Sequence, residues 1–550
     1  MEISGASTLP WWKTAIGYQI YPRSFQDSNN DGIGDINGII NHLAYLKWLD
    51  IDFIWLNPIY KSPNIDNGYD ISDFQDISED YGTIEDFKKL LDEAHKLNIR
   101  VIMDLVVNHT SDQHRWFQEA RKSKDNPYHN FYIWQDNIND TRPNDWENFT
   151  NDSVWELNEA TNEWYFHLFS PQQPDLNWEN PKVQHKIIDM INWWADQNID
   201  GFRLDALSHL KKSNFDVPQP VGDDKFSIFS NNQGIDEYLD LLHQTFVKRN
   251  LMTVGEAGGV HADTARIWTG QVGFIDMIFE LEHQVRQSTI PPRAERESFL
   301  TILANWQEAL NKQGWLGLYI ENHDQPRAIT VYGANTQAAG KVLATLLLTL
   351  RGTPFIYQGQ ELGMTNMHFP SPEDINDVAT QNTYERLVLT GLSEKDALTE
   401  ATNWSRDNAR TPMQWSKYGF SQSDEAKKKS WILTNTNSVS INLHNELIDN
   451  QSMLHYYRRL IHLRRHDAVL QTGDFKLIKT KIKNILIFIR QIADQKRLIM
   501  LNLDDNPLSI VLPDSIFLET WWPIICSSGP FTEINPKMTL LPYQAMIWKN

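Results

Sequence analysis

The chain has 550 residues, of which 71 are acidic and 50 are basic, so its formal net charge is −21. That charge argues against nucleic acid or an anionic membrane surface as a partner, and no apolar run reaches the ~18 residues of a membrane span. Cys526 is the only cysteine, so no intramolecular disulfide can form. No basic segment leads into an apolar run near the start, and we therefore predict a cytoplasmic protein. We expect a monomer or a weak homodimer.

Short apolar runs alternate with amphipathic helical stretches, which predicts parallel βα units. The predicted strands are Ile16–Tyr21, Phe53–Asn57, Val101–Asn108, Gly201–Ala206, Met252–Ala257, Ile275–Phe279, Leu316–Asn322 and Phe355–Gln358. The predicted helices lie near residues 36–49, 83–97, 182–198, 235–249, 297–313, 336–350 and 452–465. This alternation predicts an α/β protein built on a (β/α)8 TIM barrel.

Two connections are too long to be simple turns, and the last part of the chain changes character. Residues 110–180 are rich in Trp, Asn, Asp and Pro and predict an excursion domain after strand three, over the barrel mouth. Residues 371–421 predict a second excursion, after strand eight. From about residue 471 short β-rich runs replace the helical alternation, which predicts a C-terminal antiparallel β-sandwich. The predicted domains are the barrel (1–109 and 181–470), the excursion domain (110–180) and the sandwich (471–550).

Polar residues follow the predicted barrel strands at their C-terminal ends. His109 follows strand three, Asp205 ends strand four, Glu256 lies on strand five, and His323 and Asp324 follow strand seven. In a TIM barrel the chemistry lies at this face, because the loops that follow the strands meet there. These residues therefore predict a functional site at the barrel mouth.

The stretch Gly201–Ala206 carries an Arg and an Asp one residue apart on an otherwise apolar strand. Side chains alternate along a strand, so Arg203 and Asp205 share a face. A guanidinium beside a carboxylate favours the ionised carboxylate, which makes Asp205 a candidate nucleophile. The alternative is a structural ion pair at a strand end.

Residues 27–35 read Asp-Ser-Asn-Asn-Asp-Gly-Ile-Gly-Asp and resemble a calcium loop, because hard cations prefer carboxylate and amide oxygens on a tightly turned backbone. An EF-hand would need an acidic residue at the position of Gly38, so this is not an EF-hand. We predict a structural calcium ion, with magnesium as the alternative cation. The predicted ligands are Asp27, Asn29, Asp31, Asp35 and the carbonyl of Ile33. The alternative is an Asx-rich turn before a helix.

Taken together, the strand-end motifs resemble those of the α-amylase superfamily, glycoside hydrolase family 13. The four short motifs are Asp104–His109, Gly201–Asp205, Glu256 and Asn322–Asp324. Two further matching motifs are Gln173–Trp178 and Gly352–Gly359. The segments Asp66–Asp70 and Ser405–Trp415 are similar to the exo-acting α-glucosidase branch, which includes oligo-1,6-glucosidases and dextran glucosidases.

The resemblance implies a retaining glycosidase, in which two carboxyl groups ~5–5.5 Å apart act on one sugar. By this resemblance Asp205 is the nucleophile, Glu256 is the acid/base, and Asp324 is the third carboxylate, which holds sugar hydroxyls. No redox or group-transfer cofactor is implied.

The resemblance also implies the residues of the glucose subsite. His109, Arg203 and His323 line it, and Tyr69 forms the aromatic platform under the non-reducing glucose. Asp66 and Arg410 match an Asp and an Arg that grip the terminal glucose from behind, which implies exo action. The alternative for this last pair is a surface salt bridge between two loops.

The expected substrates are short α-gluco-oligosaccharides, and the residue after the nucleophile bears on the linkage. Branch members devoted to α-1,6 links usually have Val there, whereas this chain has Ala206. The resemblance therefore favours α-1,4 links, with α-1,6 links as the alternative and transfer of glucose to a sugar acceptor as a further activity. Two further candidate functions are a sucrose or trehalose isomerising or hydrolysing enzyme and a non-catalytic sugar-binding relative.

Overall fold

The computed structural model of the chain describes residues 9–270, 273–284, 295–531 and 533–550. Within them the strands are β1 (Gly17–Ile20), β2 (Phe53–Leu56), β3 (Tyr60–Lys61), β4 (Asp73–Ile77), β5 (Arg100–Val106), β6 (Trp134–Asp136), β7 (Trp155–Asn158), β8 (Glu163–Phe166), β9 (Gly201–Asp205), β10 (Met252–Glu256), β11 (Met277–Phe279), β12 (Leu316–Leu318), β13 (Thr353–Tyr357), β14 (Asp474–Leu477), β15 (Ile485–Ile492), β16 (Gln495–Asn502), β17 (Leu508–Val511), β18 (Trp522–Cys526), β19 (Lys537–Leu540) and β20 (Ala545–Lys549).

The α-helices of the same residues are α1 (Ile36–Trp48), α2 (Ile84–Lys96), α3 (Arg115–Ala120), α4 (Pro181–Asp196), α5 (Ile235–Arg249), α6 (Ala265–Thr269), α7 (Arg296–Ala309), α8 (Ala328–Gly333), α9 (Gln337–Thr349), α10 (Val378–Leu389), α11 (Glu394–Asn403), α12 (Asp407–Arg410), α13 (Asp424–Lys427), α14 (Leu443–Ile448), α15 (Met453–Arg465) and α16 (Ala468–Thr472). None of the described helices is both long and apolar enough to cross a bilayer.

Eight parallel strands close into a barrel in the order β1, β2, β5, β9, β10, β11, β12, β13. Each of the eight predicted strands overlaps one of these, and the predicted helices correspond to α1, α2, α4, α5, α7, α9 and α15. The predicted (β/α)8 fold is therefore confirmed. The strands read as near-continuous apolar runs because helices cover the outside of the barrel and side chains fill the inside.

Glycine at the start of β9 sets how that strand lies against β10. A Cβ at Gly201 would lie 2.2 Å from the Met252 carbonyl oxygen, so only glycine fits there. Gly201 pairs with Met252, and the register continues to Leu204 opposite Gly255. This register brings the C-terminal ends of the two strands side by side, which is where Asp205 and Glu256 lie.

Strand β12 is shorter than the predicted Leu316–Asn322, since it ends at Leu318. Among the polar residues that follow it, Glu321 has two different partners. Glu321 pairs with Arg327 at 3.0 Å, and its other oxygen accepts from the Ala328 amide at the start of α8. Glu321 thus lies outside the strand and is bonded to the segment that leads into α8, a contact that a pattern of polar and apolar residues does not reveal.

Helices that carry the barrel begin at sequence-encoded caps. Thr83 and Asp86 form a reciprocal capping box at the start of α2, and Asn180 caps α4, whose first residue is Pro181. A proline is tolerated there because the first helical amide has no partner within the helix.

Between β5 and α4 the chain forms a three-stranded antiparallel sheet in the order β6, β8, β7. Helices α10, α11 and α12 lie within the predicted second excursion. The C-terminal part contains a five-stranded antiparallel sheet (β14, β15, β16, β20, β18) and a two-stranded one (β17, β19). Buried residues of both sheets form one apolar cluster, so the predicted antiparallel sandwich is confirmed.

Candidate active site

Arg203 lies at the centre of the barrel mouth and contacts three carboxylates. Its Nη1 donates to Asp205 Oδ1 at 2.6 Å and to Asp104 Oδ1 at 2.7 Å, and its Nη2 donates to Glu256 Oε2 at 2.5 Å. Asp104 and Arg203 are paired in register on β5 and β9, which brings the two side chains together. One buried guanidinium therefore ties the predicted nucleophile to the predicted acid/base.

Asp205 is more difficult to ionise than the sequence alone indicates. Burial raises the pKa of its carboxyl group well above the ordinary value; Arg203 lowers it, and the charges of Glu256 and Asp104 raise it further. The sequence pattern predicted the effect of Arg203 on the pKa of Asp205. It did not predict the effects of burial and of the Asp104 and Glu256 carboxylates, which contact the same guanidinium. Asp205 thus shares one guanidinium with two further carboxyl groups, and this arrangement opposes its ionisation.

A polar network behind this cluster fixes the ring of Tyr69. Its hydroxyl donates to Asp104 Oδ2 at 3.1 Å, accepts from Asn57 Nδ2 at 2.9 Å, and lies 2.8 Å from His323 Nε2. Gln19 Nε2 lies 2.9 Å from His323 Nδ1. An amide nitrogen can only donate, so Nδ1 accepts and the ring proton of His323 lies on Nε2, facing the site.

Asp324 forms the other side of the mouth, where two arginine side chains and the His323 ring contact it. Arg410 Nη2 lies 3.0 Å and Arg406 Nη1 3.3 Å from its Oδ1, and His323 Nε2 lies 3.1 Å from its Oδ2. Burial acts to raise the pKa of the Asp324 carboxyl group, but the contacts with His323, Arg406 and Arg410 outweigh it and hold the pKa well below its usual range. Asp324 is therefore an anion at the mouth throughout the physiological pH range.

Asp66 and His109 both contact Gln173, a residue of the predicted excursion domain. Gln173 Nε2 donates to Asp66 Oδ2 at 3.1 Å and lies 3.2 Å from His109 Nε2. Asp66 Oδ1 lies 3.8 Å from Arg406 Nη2. The structure thus brings Asp66 beside Arg406, while Arg410 contacts Asp324. Burial lowers the pKa of His109.

Exposure separates two groups of side chains in this constellation. The side chains of Asp324, Asp66 and Glu256 are 33%, 28% and 21% exposed. Those of Arg203 and Asp104 are 3% and 0% exposed. Three of the four acidic groups that are predicted to touch the sugar thus face the opening, Asp205 is less exposed at 11%, and Arg203 and Asp104 form the frame beneath them.

Several residues of the site are absent from the sequence-based candidates. They are Asp104, Arg406, Asp377, Gln173, Asn57 and Gln19. Asp104, Gln173 and Arg406 lie inside motifs that the sequence displays, so the signal was present, but no pattern says which member of a motif faces the site. Asp377 lies in the second excursion outside any motif.

The predicted cation loop folds as a set of turns in which carboxylates accept backbone amides. Asp27 is fully buried and accepts from the amides of Asn30 and Gly32 at 2.6 and 3.0 Å. Burial raises its pKa, and the charge of Asp31 acts in the same direction. Asp35 caps α1 by accepting from the Gly38 amide at 2.7 Å.

The donor set of this loop is made entirely of oxygens, as a hard cation requires. Among the described residues no cationic side chain forms an ion pair with the buried Asp27, and a bound cation would supply the missing charge. In the part of the chain that the structure describes, no three His, Cys, Asp or Glu side chains are already arranged to hold a metal ion.

Comparisons with known proteins agree with this geometry. The family described as "Alpha amylase, catalytic domain" matches residues 19–473. A probable oligo-1,6-glucosidase 3 of Bacillus subtilis (strain 168) is 43% identical over 98% of this chain and 99% of that protein. An alpha-glucosidase of Pediococcus pentosaceus is 41% identical over 86% of this chain and 88% of that protein.

Solved structures give the same assignment. The crystal structure of Bacillus licheniformis trehalose-6-phosphate hydrolase matches with a TM-score of 0.91 and 38% identity, covering 98% of this chain and 99% of that one. The motif-based resemblance is confirmed: the chain belongs to the α-amylase superfamily, glycoside hydrolase family 13.

Proposed function

We propose that the protein is a retaining, exo-acting α-glucosidase that releases glucose from the non-reducing end of short α-gluco-oligosaccharides. The observation that carries this proposal is the double contact of Arg203 with Asp205 and Glu256. A single guanidinium that contacts both carboxylates favours the short separation of retaining enzymes over the ~6.5–9.5 Å of inverting ones. The names of the relatives, an oligo-1,6-glucosidase and an alpha-glucosidase among them, support the same substrate class.

In the first step the Asp205 carboxylate attacks the anomeric carbon while Glu256 gives its proton to the glycosidic oxygen. The bond to that oxygen breaks, and the remaining sugar leaves as an alcohol. In the second step Glu256 takes a proton from water, and the water oxygen replaces Asp205 on the anomeric carbon. Glucose leaves with its configuration retained, Glu256 is protonated again, and Asp205 is again a carboxylate.

Asp324 binds sugar hydroxyls as the ring flattens and positive charge develops on it. Its low pKa keeps it ionised, so it stabilises that charge. His323 donates from Nε2 into the same space, and Tyr69 holds the His323 ring in place.

The proposed exo action is supported by four charged side chains at one end of the pocket. Asp66, Asp324, Arg406 and Arg410 lie together there, so a terminal glucose would meet charged groups where another glucose unit would have to lie. Charge-assisted hydrogen bonds from these groups to terminal hydroxyls favour a chain end. Compared with the sequence-based expectation, Arg406 joins Arg410 in this role.

For the linkage we propose that α-1,4 bonds are favoured because Ala206 is small, with α-1,6 bonds as the alternative. We further propose that glucose can pass from Asp205 to a sugar hydroxyl instead of water at high sugar concentration. Oligosaccharide products at high maltose would support this transfer, and glucose as the only product would contradict it.

The decisive experiment measures hydrolysis of maltose, isomaltose, sucrose and trehalose by the parent chain and by Asp205→Asn and Glu256→Gln. We expect glucose release from maltose and isomaltose by the parent and a loss of at least ~10³-fold in both variants, because each removes a group that acts in the transition state. Parent-level rates in a folded variant would contradict the mechanism. Isomerised disaccharide products from sucrose or trehalose would identify an isomerising enzyme, and no turnover of any glucoside would identify a non-catalytic sugar-binding protein.

We also infer that the loop of residues 27–35 binds a structural Ca²⁺, with Mg²⁺ as the alternative. The side chains of Asp27, Asn29, Asp31 and Asp35 and the Ile33 carbonyl would hold it. Its contribution is to stability, because the loop precedes α1 and takes no part in the chemistry above.

We infer a reducing compartment, the cytoplasm, because the chain has the single cysteine Cys526 and thus no internal disulfide. We propose a monomer or weak homodimer, and light scattering at two protein concentrations tests this.

A further inference from the structure

We propose that Asp377 is a positioning residue that holds Arg406 beside Asp66 and Asp324 at the barrel mouth and thereby sets how tightly the terminal glucose binds. This inference rests on the proposed function and adds to it the role of the second excursion. Asp377 lies immediately before α10, far along the chain from the catalytic motifs.

Asp377 makes the shortest contacts of Arg406 with any carboxylate. Arg406 Nε and Nη2 both donate to Asp377 Oδ1, at 2.9 and 2.6 Å. The Asp377 side chain is 0% exposed, whereas the Arg406 side chain is 30% exposed. The buried carboxylate is thus the strongest anchor of a cation that reaches toward the opening.

The backbone around Asp377 is itself tied to the segment that carries Arg406. Asp407 Oδ2 accepts from the amides of Asn376 and Asp377 at 2.7 and 2.9 Å. Thr380 Oγ1 donates to Asp377 Oδ2 at 2.5 Å and lies 2.9 Å from Ser405 Oγ. These bonds fix Asp377 relative to Arg406, so the carboxylate is a rigid support.

The two terminal nitrogens of Arg406 also make longer contacts with the two acidic groups of the pocket. Its Nη1 lies 3.3 Å from Asp324 Oδ1, and its Nη2 lies 3.8 Å from Asp66 Oδ1. Without Asp377 these two carboxylates would be the nearest anions, and Arg406 would move toward them. It would then compete with the sugar hydroxyls for the same oxygens, which weakens glucose binding.

This geometry predicts an effect on binding more than on chemistry. Among the described residues, no hydrogen bond or ion pair joins Asp377 to Arg203, Asp205 or Glu256, so the bond-breaking groups keep their arrangement. In Asp377→Asn we expect KM for p-nitrophenyl α-glucoside to rise by about tenfold or more, as expected for one lost charge-assisted contact, with kcat within about threefold of the parent. A purely structural role would lower the amount of folded enzyme and leave KM unchanged.

The test compares the parent, Asp377→Asn, Arg406→Lys, the double variant and the control Glu385→Gln, all as the full chain. Glu385 lies on the same helix α10 but is exposed. Arg406→Lys keeps the charge and removes the two-nitrogen contact, so we expect it to raise KM similarly. We expect KM of the double variant to be no higher than the higher KM of the two single variants, because both substitutions remove the same contact between Asp377 and Arg406. Glu385→Gln should leave KM and kcat unchanged.

Parent-like KM in folded Asp377→Asn, or a strictly additive double variant, would overturn the inference. If Asp377→Asn does not fold, Arg406→Lys replaces it as the test, because a substitution at the partly exposed Arg406 disturbs folding less. An unchanged KM in Arg406→Lys would overturn the inference as well.

Binding of D-glucose by calorimetry separates this inference from the proposed function. If the parent binds glucose and Asp377→Asn binds it about tenfold more weakly, the inference is supported even where turnover is slow. If both bind equally, the inference fails while the proposed function stands. If the parent neither binds glucose nor cleaves a glucoside, the proposed function fails, and this inference fails with it.

Discussion

The rings of Tyr69 and His323 lie nearly parallel, with centroids 5.5 Å apart and an interplanar angle of 10°, and the Tyr69 hydroxyl lies 2.8 Å from His323 Nε2. The same hydroxyl contacts Asn57 and Asp104. One oxygen thus links β2, β5 and the polar run after β12, on opposite sides of the barrel mouth. The position of His323 therefore depends on this phenol group together with the contact from Gln19.

Tyr69→Phe removes this link and tests it. We expect a loss of about 1–3 kcal/mol in the free energy of unfolding, because the buried Nδ2 of Asn57 loses its acceptor. We expect kcat/KM to fall by about 10–100-fold, because a small displacement of His323 misplaces a group that contacts the sugar. Urea unfolding and initial rates on p-nitrophenyl α-glucoside measure the two effects.

The matched control for that variant is Tyr418→Phe, in the second excursion, where the ring is half-buried but lies away from the carboxyl cluster. It should change the free energy of unfolding by no more than about 0.5 kcal/mol and leave kcat/KM close to that of the parent. Parent-like activity in Tyr69→Phe would contradict the role given to this hydroxyl.

The barrel could be predicted from the sequence because each strand is a short apolar run bounded by turn residues and followed by an amphipathic helix. The cluster at the mouth could be predicted because Asp205, Glu256 and Asp324 each follow such a run. What the sequence could not reveal is how partners from distant segments combine. Arg406 and Arg410 lie four residues apart in one motif and both contact Asp324, and the fold brings Arg406 to Asp66 and Asp377 in addition. The pKa of Asp205 likewise depends on burial and on Asp104, which the alternation of one strand does not report.

Glu361 is a buried carboxyl group outside the proposed chemistry, and it predicts a pH-dependent stability. It is fully buried and its Oε1 accepts from Tyr18 and Tyr45 at 2.9 and 2.7 Å. Burial raises the pKa of Glu361 to about 7, against the lowering effect of the two tyrosine bonds. The folded state therefore binds a proton that the unfolded state has already lost between its ordinary pKa and pH 7.

The sign of this effect follows from proton linkage. Stability falls as pH rises wherever the folded state binds more protons, so Glu361 costs stability progressively from about pH 4.5 to 7 and by a constant amount above that. The full cost is at most about 3 kcal/mol. Glutamine does not ionise, so we expect the stability of Glu361→Gln to fall less with rising pH than that of the parent. The difference in unfolding free energy between variant and parent should therefore grow between pH 5 and pH 8. A difference that stays constant across that range would show that Glu361 does not titrate there.

The proposed structural cation predicts a dependence of stability on calcium. A ligand that binds only the folded state adds about 4 kcal/mol when its concentration is 1,000 times its Kd. We expect EDTA to lower the midpoint of thermal unfolding and CaCl2 to restore it, with MgCl2 as the comparison that identifies the ion. In Asp27→Asn the midpoint should no longer respond to either. An unchanged midpoint for the EDTA-treated parent would favour an Asx-rich turn that needs no ion.

Ala206 combines a strained backbone with a place beside the predicted nucleophile. Its φ of 48° and ψ of 31° put it in the left-handed region, and its side chain is buried. A β-branched residue is disfavoured there, so we expect Ala206→Val to lose about 1–2 kcal/mol of stability. If the added methyl groups reshape the entrance to the neighbouring subsite, the ratio of α-1,6 to α-1,4 hydrolysis should rise by about 10-fold or more, within the ~1–3 kcal/mol that such a change can supply. Rates on isomaltose and maltose give the ratio, and Ala206→Gly is the control, since glycine relieves the strain without narrowing the entrance. A folded Ala206→Val enzyme with the parent ratio would remove the basis for the proposed α-1,4 preference.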